Sequence, residues 1–175
     1  MQKPKTIDKK ILYEGYLNLN CDTIEKNDGE QTTYTYYSLP NPAVVILGIS
    51  KERKFLLTKE YRHPINGYIL SCSGGKLETG EDPLIGGKRE LLEETGYTSD
   101  DITLMGACHP IPALSDQKVY FLLAKNVYLV SKQKLDPFEF IEPVWKTQAE
   151  IQEEIAKASA IDGHLLTALS FYQLT

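Results

Sequence analysis

The sequence predicts a single mixed α/β domain, in which strands from both halves of the chain flank one acidic helix. Its 175 residues fall within the ~100–200 residues typical of one domain. Hydrophobic residues make up 42% of the chain and charged residues 25%, which is ordinary for a globular protein with a substantial core. We therefore expect one domain over residues 1–175, with no internal repeat or linker.

The N-terminal part predicts an antiparallel hairpin over about residues 10–38. Residues 10–20 and 31–38 have the character of strands, and the second segment, QTTYTYYS, is rich in threonine and tyrosine. Between them, KNDGE at residues 26–30 carries a strong turn signal.

Three further strands are predicted before the helix. AVVILGI, at residues 43–49, is a continuous apolar run of strand length, which favours a buried central strand. KFLLTKEYR, at residues 54–62, follows the charged turn SKER, so these two strands should pair with each other. GYILSCSGG, at residues 67–75, predicts another short strand that ends in glycines.

The second half of the chain predicts two strands and a helical tail. DITLMGACHP (101–110) and KVYFLLAKNVYLV (118–130) are the strands, and they flank the loop PIPALSDQ (110–117). The tail, about residues 147–172, has a helical pattern that breaks near Asp162.

A helix is predicted from Pro83 to Thr95. Proline is well accepted in the first turn of a helix, and Gly96 supplies the stop. Gly86 and Gly87 lie inside the helix, where each costs ~1 kcal/mol relative to alanine. This pair either leaves room for an anionic substrate and a hydrated metal ion, or it permits close packing against another element.

The helix carries three acids on one face. If Glu90 is placed at zero and each residue turns ~100°, Glu94 lies at about 40° and Glu93 at about −60°. The opposite side is predicted to be an apolar stripe for the core. Its members are Leu84, Ile85, Leu91 and Leu92.

The spacing of these acids favours a divalent metal site over a merely solvated acidic face. Glu90 and Glu94 lie one turn apart, ~5–6 Å between Cβ atoms. Mg²⁺ prefers hard oxygen ligands and typically joins one or two carboxylates to substrate phosphates, and Mn²⁺ suits the same ligands. Arg89 lies four residues before Glu93 and is expected to pair with it and hold its orientation.

The stretch around this helix resembles the Nudix box. The pattern G-x5-E-x7-R-E-U-x-E-E-x-G-U, where U is hydrophobic, is filled at every position over residues 75–97. The residues are Gly75, Glu81, Arg89, Glu90, Leu91, Glu93, Glu94, Gly96 and Tyr97.

The resemblance extends to the ADP-ribose and nucleoside-diphosphate-sugar pyrophosphatase branch of that family. LTKEYRHPINGYILSCSGGK, before and into the box, and PALSDQKVYFLLAKNV, after it, are similar to segments of this branch. Together these segments cover about residues 42–130. The resemblance implies a Nudix fold, with a mixed sheet between helices. It also implies metal-dependent hydrolysis of a diphosphate, giving a nucleoside monophosphate and a sugar phosphate.

The resemblance also implies roles for individual residues. Glu90 and Glu94 would be the main metal ligands, with the carbonyl of Gly74 contributing. Glu93 would be a ligand, the catalytic base or both. Arg89 would orient the glutamates, while Glu81 would support metal binding or the helix geometry.

This sequence departs from the branch in the loop after the box. Members often place a glutamate there as a metal ligand or base, at or near the position of Gln117. Because an amide cannot take up a proton, Asp116 is the nearest substitute, and otherwise Glu93 must act as the base. The branch also usually carries proline-alanine where this chain has Ser73-Gly74.

Two residues are candidates for holding the rest of the substrate. The guanidinium of Arg62 can contact a phosphate or ribose with bidentate geometry, and an ion pair with Glu60 or another acid is the alternative. Tyr36 shares a face of its strand with Tyr34, and such rings either stack on a nucleobase or pack in a core or interface. In the resembled branch the N-terminal strands often form a dimer interface, so a homodimer is expected.

Two other functions compete with the nucleotide-sugar prediction. One is a Nudix hydrolase of a dinucleoside polyphosphate, a nucleoside triphosphate or capped RNA, and the other is a non-catalytic nucleotide sensor. The net charge of −5 makes nucleic acid an unexpected partner. No apolar run approaches the ~20 residues that span a bilayer, and three cysteines stand at no metal-ligand spacing, so a cytoplasmic protein is expected.

Overall fold

The computed structural model describes residues 3–157 and 160–174. The chain divides into two compact units. The smaller unit comprises the chain up to Pro42 together with His109–Lys118, and the larger unit comprises Ala43–Cys108 together with the chain from Val119 onward. The strands are β1 (Lys5–Tyr13), β2 (Asn18–Glu25), β3 (Gln31–Ser38), β4 (Ala43–Ile49), β5 (Phe55–Arg62), β6 (Gly67–Ser71), β7 (Ser73–Lys76), β8 (Tyr97–Thr98), β9 (Asp101–Cys108), β10 (Val119–Lys125), β11 (Tyr128–Leu129) and β12 (Ile141–Lys146); the helices are α1 (Pro83–Thr95), α2 (Gln148–Ala156) and α3 (Gly163–Leu174).

The smaller unit contains an antiparallel sheet in the order β1-β2-β3. The predicted turn at 26–30 is confirmed, with Gly29 at a φ of 86° and the Lys26 N–H donating to the Glu30 carbonyl. The prediction of one strand over 10–20 is wrong, because that segment contains the end of β1, a turn and the start of β2. Apolar residues continue on both sides of the turn, from Tyr13 to Leu19, so the sequence pattern did not reveal that the chain reverses direction there.

The larger unit is built on a mixed sheet in the order β12-β5-β4-β10-β9. The predicted buried strand is confirmed as β4, which lies parallel to β10 and antiparallel to β5. The predicted strand over 67–75 is in fact two strands, because β6 pairs with β5 and β7 pairs with β4. Since β12 occupies the other side of β5, the segment 67–76 lies between β4 and β5 where these two strands diverge.

Side chains alternate between the two faces of this sheet and form two cores. One face carries Val44, Ile46 and Leu56, which pack with Leu91 of α1. The opposite face packs against α2 and α3. Its core includes Val45, Leu47, Leu57, Phe121, Ile151 and Leu165. The sheet therefore lies between helices, as the fold prediction required.

The bounds predicted for α1 are confirmed at both ends. Asp82 is the N-cap and accepts a hydrogen bond from the Leu84 N–H at 2.8 Å, and Pro83 occupies the first turn. Gly96 ends the helix in the left-handed region at a φ of 77°. These local signals are sufficient because they act within a few residues of each terminus.

The predicted apolar stripe of α1 is largely wrong. Leu91 is fully buried, but Leu84 and Ile85 are 41% and 64% exposed. The buried side of the helix is instead the one that carries Gly86, Gly87 and Glu94, together with Leu91 and Thr95. The acidic side therefore faces inward over part of its width.

The C-terminal region contains one strand that the sequence pattern did not predict. β12 pairs with β5 over its whole length and includes Pro143. Proline is confined to edge positions in sheets, and β12 is the edge strand here. The two predicted tail helices are confirmed as α2 and α3, and none of the helices among the described residues is long and apolar enough to cross a membrane.

Candidate active site

Three carboxylates of α1 and the loop before it meet around the guanidinium of Arg89. Arg89 donates to both oxygens of Glu81, from Nε at 3.0 Å and from Nη2 at 2.9 Å. Its Nη1 donates to Glu90 at 2.8 Å and to Glu93 at 3.1 Å. The predicted pairing of Arg89 with Glu93 is therefore observed, within a larger network than the sequence indicated.

This network fixes charge as well as geometry. The hydrogen bonds from Arg89 hold the pKa of the Glu81 carboxyl below its ordinary value. In return the three carboxylates raise the pKa of the guanidinium, with Glu81 contributing most. Since Arg89 spans three acids at once, it can orient Glu90 and Glu93 while leaving the cluster net negative.

Glu94 is the most deeply placed acid of the helix. Its residue is 5% exposed, and its Oε2 accepts a hydrogen bond from the Gly74 N–H at 3.0 Å. Burial raises the pKa of this carboxyl well above its ordinary value, and the negative charges of Glu90, Glu60 and Glu139 act in the same direction. A carboxylate in this position is strongly favoured by a nearby cation.

Glu90 lies directly over the backbone of β7. A Cβ added to Gly75 would come within 2.6 Å of Glu90 Oε1, so this carboxylate occupies the space that a side chain at position 75 would need. Burial raises the pKa of Glu90, while its hydrogen bond from Arg89 lowers it. Glu93 is more accessible, with 38% of its side chain exposed against 13% for Glu90.

The glycine pair of α1 serves close packing. A Cβ on Gly86 would lie 2.3 Å from Leu77 Cδ2, and a Cβ on Gly87 would lie 2.3 Å from Leu122 Cδ1 and 3.2 Å from Val44 Cγ2. Both glycines are buried. The interpretation that they leave open room for substrate is therefore wrong, and the packing alternative is correct.

Residues distant in sequence secure the C-terminal end of α1, and sequence reasoning missed them. The Gln133 side chain donates to the carbonyl of Glu94 and to that of Ile141, and the Lys134 N–H donates to the Glu93 carbonyl at 2.8 Å. These contacts satisfy carbonyls that a helix end leaves without partners. They also hold the turn that carries Glu93 and Glu94 in one orientation.

Arg62 lies at the end of β5, on the same unit as the helix. Its Nη1 pairs with Glu60 Oε1 at 2.8 Å, so the ion pair considered as its alternative role is present, and 46% of its side chain remains exposed. Burial raises the pKa of Glu60 and Arg62 lowers it. Glu60 and Glu139 both act electrostatically on Glu94. The sequence singled out Glu60 only as an ion-pair partner of Arg62, and it did not single out Glu139.

The two remaining predicted site residues lie together in the smaller unit. Tyr36 donates a hydrogen bond to Asp22 Oδ2 at 3.3 Å, and its ring is 6.5 Å from that of Tyr34, which confirms that these tyrosines share a face. Burial raises the pKa of Tyr36, and the charges of Asp22 and Asp116 raise it further. Asp116 is exposed, and it is spanned by a hydrogen bond from the Gln117 N–H to the Ser115 hydroxyl at 3.1 Å.

The donor set of α1 and β7 fits a hard divalent cation. Because the N–H and C=O of one strand residue point to the same side, the Gly74 carbonyl faces the same side as the N–H that contacts Glu94. Within the described ranges no group of three acid, histidine or cysteine side chains is arranged to hold a metal ion. Mg²⁺ needs no such group, since it is commonly held by one or two carboxylates with waters and substrate phosphates.

The fold and this array of glutamates define a class of enzyme. Residues 39–169 match the family model described as the NUDIX domain. The chain therefore belongs to the Nudix family and is a Nudix hydrolase. Members of this family generally use a divalent metal ion.

The chain is similar to individual relatives over nearly its whole length. It is 31% identical over 172 residues to an ADP-ribose pyrophosphatase of Bacillus subtilis (strain 168), covering 97% of this chain and 92% of that protein. It is 29% identical over 175 residues to a methanol dehydrogenase activator of Bacillus methanolicus, with the same two coverages. A crystal structure of an ADP compounds hydrolase matches the fold with a TM-score of 0.87 at 22% identity, covering 99% of this chain and 94% of that one.

Proposed function

We propose that this protein is a Mg²⁺-dependent pyrophosphatase that hydrolyses ADP-ribose or a nucleoside-diphosphate sugar. The products would be a nucleoside monophosphate and a sugar phosphate. The observation that carries the proposal is the half-buried carboxylate of Glu90 and the buried carboxylate of Glu94 beside Gly74, with Arg89 holding the neighbouring acids. The similarity to an ADP-ribose pyrophosphatase over nearly the whole chain supports the choice of substrate class.

Glu90, Glu94 and the Gly74 carbonyl would hold the metal ion. When bound, Mg²⁺ supplies activation of the attacking water and offsets charge on the leaving phosphate. Burial disfavours the charged form of both carboxylates, so a bound cation at this place would stabilise them strongly. Mn²⁺ suits the same oxygen ligands and is expected to substitute.

Glu93 is the proposed base. Its side chain is the most accessible of the three acids on α1, and Arg89 fixes the position of its carboxylate through one hydrogen bond. Asp116 is the second candidate, since it is an exposed acid in the loop where the resembled branch often carries a glutamate. Glu93→Gln and Asp116→Asn separate the two, because the variant of the true base should lose most of kcat.

Arg62 and Tyr36 are the proposed contacts to the rest of the substrate. The exposed part of the Arg62 guanidinium is available to a phosphate or ribose, while Glu60 keeps the side chain in one orientation. Tyr36 offers an aromatic face for a nucleobase. Substitution of either residue is expected to raise KM more than it lowers kcat.

The test is a substrate panel with Mg²⁺ or EDTA. ADP-ribose, GDP-mannose, UDP-glucose, diadenosine polyphosphates and nucleoside triphosphates are incubated with the protein, and the products are separated by chromatography. Cleavage of sugar nucleotides to monophosphates, abolished by EDTA, supports the proposal. Cleavage of polyphosphates alone would keep the hydrolase and overturn the substrate class. Tight binding with no turnover would instead identify a sensor.

A homodimer in the cytoplasm is also proposed, on the strength of the sequence resemblance. Light scattering behind a sizing column measures the mass directly. A mass of one chain, 19.8 kDa, would contradict the dimer.

A further inference from the structure

The mixed sheet of the larger unit buries two hydroxyl oxygens that have no hydrogen-bond partner among the described residues. They are Thr58 Oγ1 and Ser73 Oγ, and their residues are 0% and 1% exposed. Buried polar atoms are nearly always hydrogen-bonded, because leaving one without a partner costs the free energy of its lost hydration. Each of these oxygens therefore points to a partner outside the protein chain.

Both hydroxyls lie on the face of the sheet that packs against α1. Thr58 is two residues after Leu56, and Leu56 packs in the core cluster that contains Leu91 of α1. Ser73 pairs directly with Ile46, which belongs to the same cluster. Residues paired across strands present their side chains to one face, so the two hydroxyls share a buried layer beneath the helix.

Their spacing suits one water molecule. Thr58 pairs with Ser71 at the end of the β5–β6 ladder, and Ser73 begins β7 two residues later. By the spacing of diagonal neighbours in a sheet, the Cα atoms of Thr58 and Ser73 should lie ~7–8 Å apart. A single water reaches ~2.8 Å to an oxygen on each side, which spans such a gap. The buried Ser71 hydroxyl, which donates to the Cys72 carbonyl at 3.2 Å, offers a third polar contact, and buried waters typically make ~3.

We propose that one ordered water joins Thr58 and Ser73 beneath α1, and that Ser73 is thereby a positioning residue for Glu94. The peptide between Ser73 and Gly74 supplies the N–H that donates to Glu94 Oε2 at 3.0 Å. In the part of the chain that the structure describes, this is the one hydrogen bond recorded to that carboxylate. Anchoring the Ser73 side chain fixes this peptide, and the peptide fixes the carboxylate.

The metal-related consequence rests on the proposed function, in which Glu94 is a metal ligand. Groups that orient a metal ligand commonly alter metal affinity by ~10–100-fold when they are removed. Loss of either hydroxyl is therefore expected to weaken Mn²⁺ binding by ~10-fold or more. The expected structural effect on the Gly74 peptide does not depend on any metal.

The chain offers matched variants. Thr58→Val removes the hydroxyl and keeps the shape, while Thr58→Ser keeps a hydroxyl, and Ser73→Ala removes the second one. Thr98→Val is the control, because Thr98 Oγ1 is also buried without a partner but lies on β8, which pairs with β11 outside this sheet.

Two measurements on metal-free protein and one with metal complete the test. A high-resolution crystal structure should show a water between the two hydroxyls. The NMR signal of the Gly74 amide should shift in Thr58→Val and Ser73→Ala, and should stay at the wild-type position in Thr58→Ser and Thr98→Val. Mn²⁺ affinity, followed by electron paramagnetic resonance without substrate, should fall in the same two variants.

A crystal structure without that water would overturn the inference. The same NMR position of the Gly74 amide signal in Thr58→Val and Thr98→Val would also overturn it. If wild-type protein binds no Mn²⁺, the proposed metal role of Glu94 fails by itself. The water and the amide signal then still decide whether Ser73 positions this carboxylate.

Discussion

Replacing Gly87 by alanine tests how α1 meets the sheet. The added Cβ would lie 2.3 Å from Leu122 Cδ1 and 3.2 Å from Val44 Cγ2, and both of those residues are fully buried. Atoms cannot share that space, so the Leu122 side chain, the helix or the sheet must shift within a fully buried core. Inserting one carbon into a well-packed core typically costs ~1–3 kcal/mol. Alanine returns ~1 kcal/mol of helix propensity. A net loss of about 1 kcal/mol in the free energy of unfolding is expected.

The assay is thermal and urea unfolding of the metal-free protein. For a chain of this length a loss of 1 kcal/mol lowers Tm by ~2–4 °C. Gly163→Ala is the matched control, because Gly163 begins α3 and a Cβ there meets nothing within 4 Å. That variant should unfold at the wild-type temperature or slightly above it.

The opposite outcome would refute the packing argument. If the glycines instead leave room for substrate, Gly87→Ala should gain stability as Gly163→Ala does, and its KM should rise. A stabilised Gly87→Ala protein with weakened substrate binding would therefore show that the helix does not press on Leu122 and Val44 in solution.

Three other substitutions have expected outcomes. Gly96→Ala should lower the free energy of unfolding by about 2 kcal/mol, because Gly96 has a φ of 77° and a Cβ would lie 2.2 Å from the Ser131 carbonyl oxygen. Urea unfolding measures this loss, and wild-type stability would contradict it. Arg89→Lys should lower kcat/KM by ~10–100-fold in steady-state kinetics, since lysine cannot contact Glu81 with two donors while holding Glu90 and Glu93. Unchanged kinetics would show that the guanidinium of Arg89 is not required. Glu94→Gln should flatten the pH dependence of stability in the metal-free protein. Burial raises the pKa of Glu94 in the folded state above its ordinary 4.5. The folded wild-type protein is therefore most stable in acid, and it loses stability as pH rises from about 4.5 through the folded-state pKa. Equal pH profiles of Tm for the two proteins would contradict this last prediction.

The parts of the fold that the sequence predicted well are those set by local signals. Asp82, Pro83 and Gly96 act within a turn of the ends of α1, so its bounds were predictable. The continuous apolar run of β4 has the length and composition of a buried strand wherever it occurs. Arg89 and Glu93 lie four residues apart on one helix, so their pairing followed from helix geometry alone.

What the sequence did not predict depends on contacts between distant segments. A helical wheel gives the angles between residues and leaves open which side meets the sheet, and the decisive fact was that Gly86 and Gly87 touch Leu77 and Leu122. Gln133 reaches the end of α1 from a loop 39 residues away. No spacing rule connects such residues.

The edge strand β12 shows the same limit for strands. Pro143 argues against a strand when the sequence is taken alone, because proline removes one hydrogen bond from the ladder. It is tolerated here because β12 has β5 on one side and no partner strand on the other in the described sheet order. Position in the sheet therefore overrode the local signal.

In the proposed mechanism, Glu90 and Glu94 of α1 hold a metal ion for diphosphate hydrolysis. The most direct test is ADP-ribose hydrolysis as a function of Mg²⁺ concentration, for wild type, Glu94→Gln and Glu78→Gln. Glu78 is an exposed glutamate of the same box that lies before the helix, so its variant controls for loss of one charge. Wild type and Glu78→Gln should release AMP and ribose 5-phosphate at similar rates, whereas Glu94→Gln should release little product at any Mg²⁺ concentration. Equal turnover by all three proteins, or turnover that persists in EDTA, would show that Glu94 does not hold a catalytic metal ion.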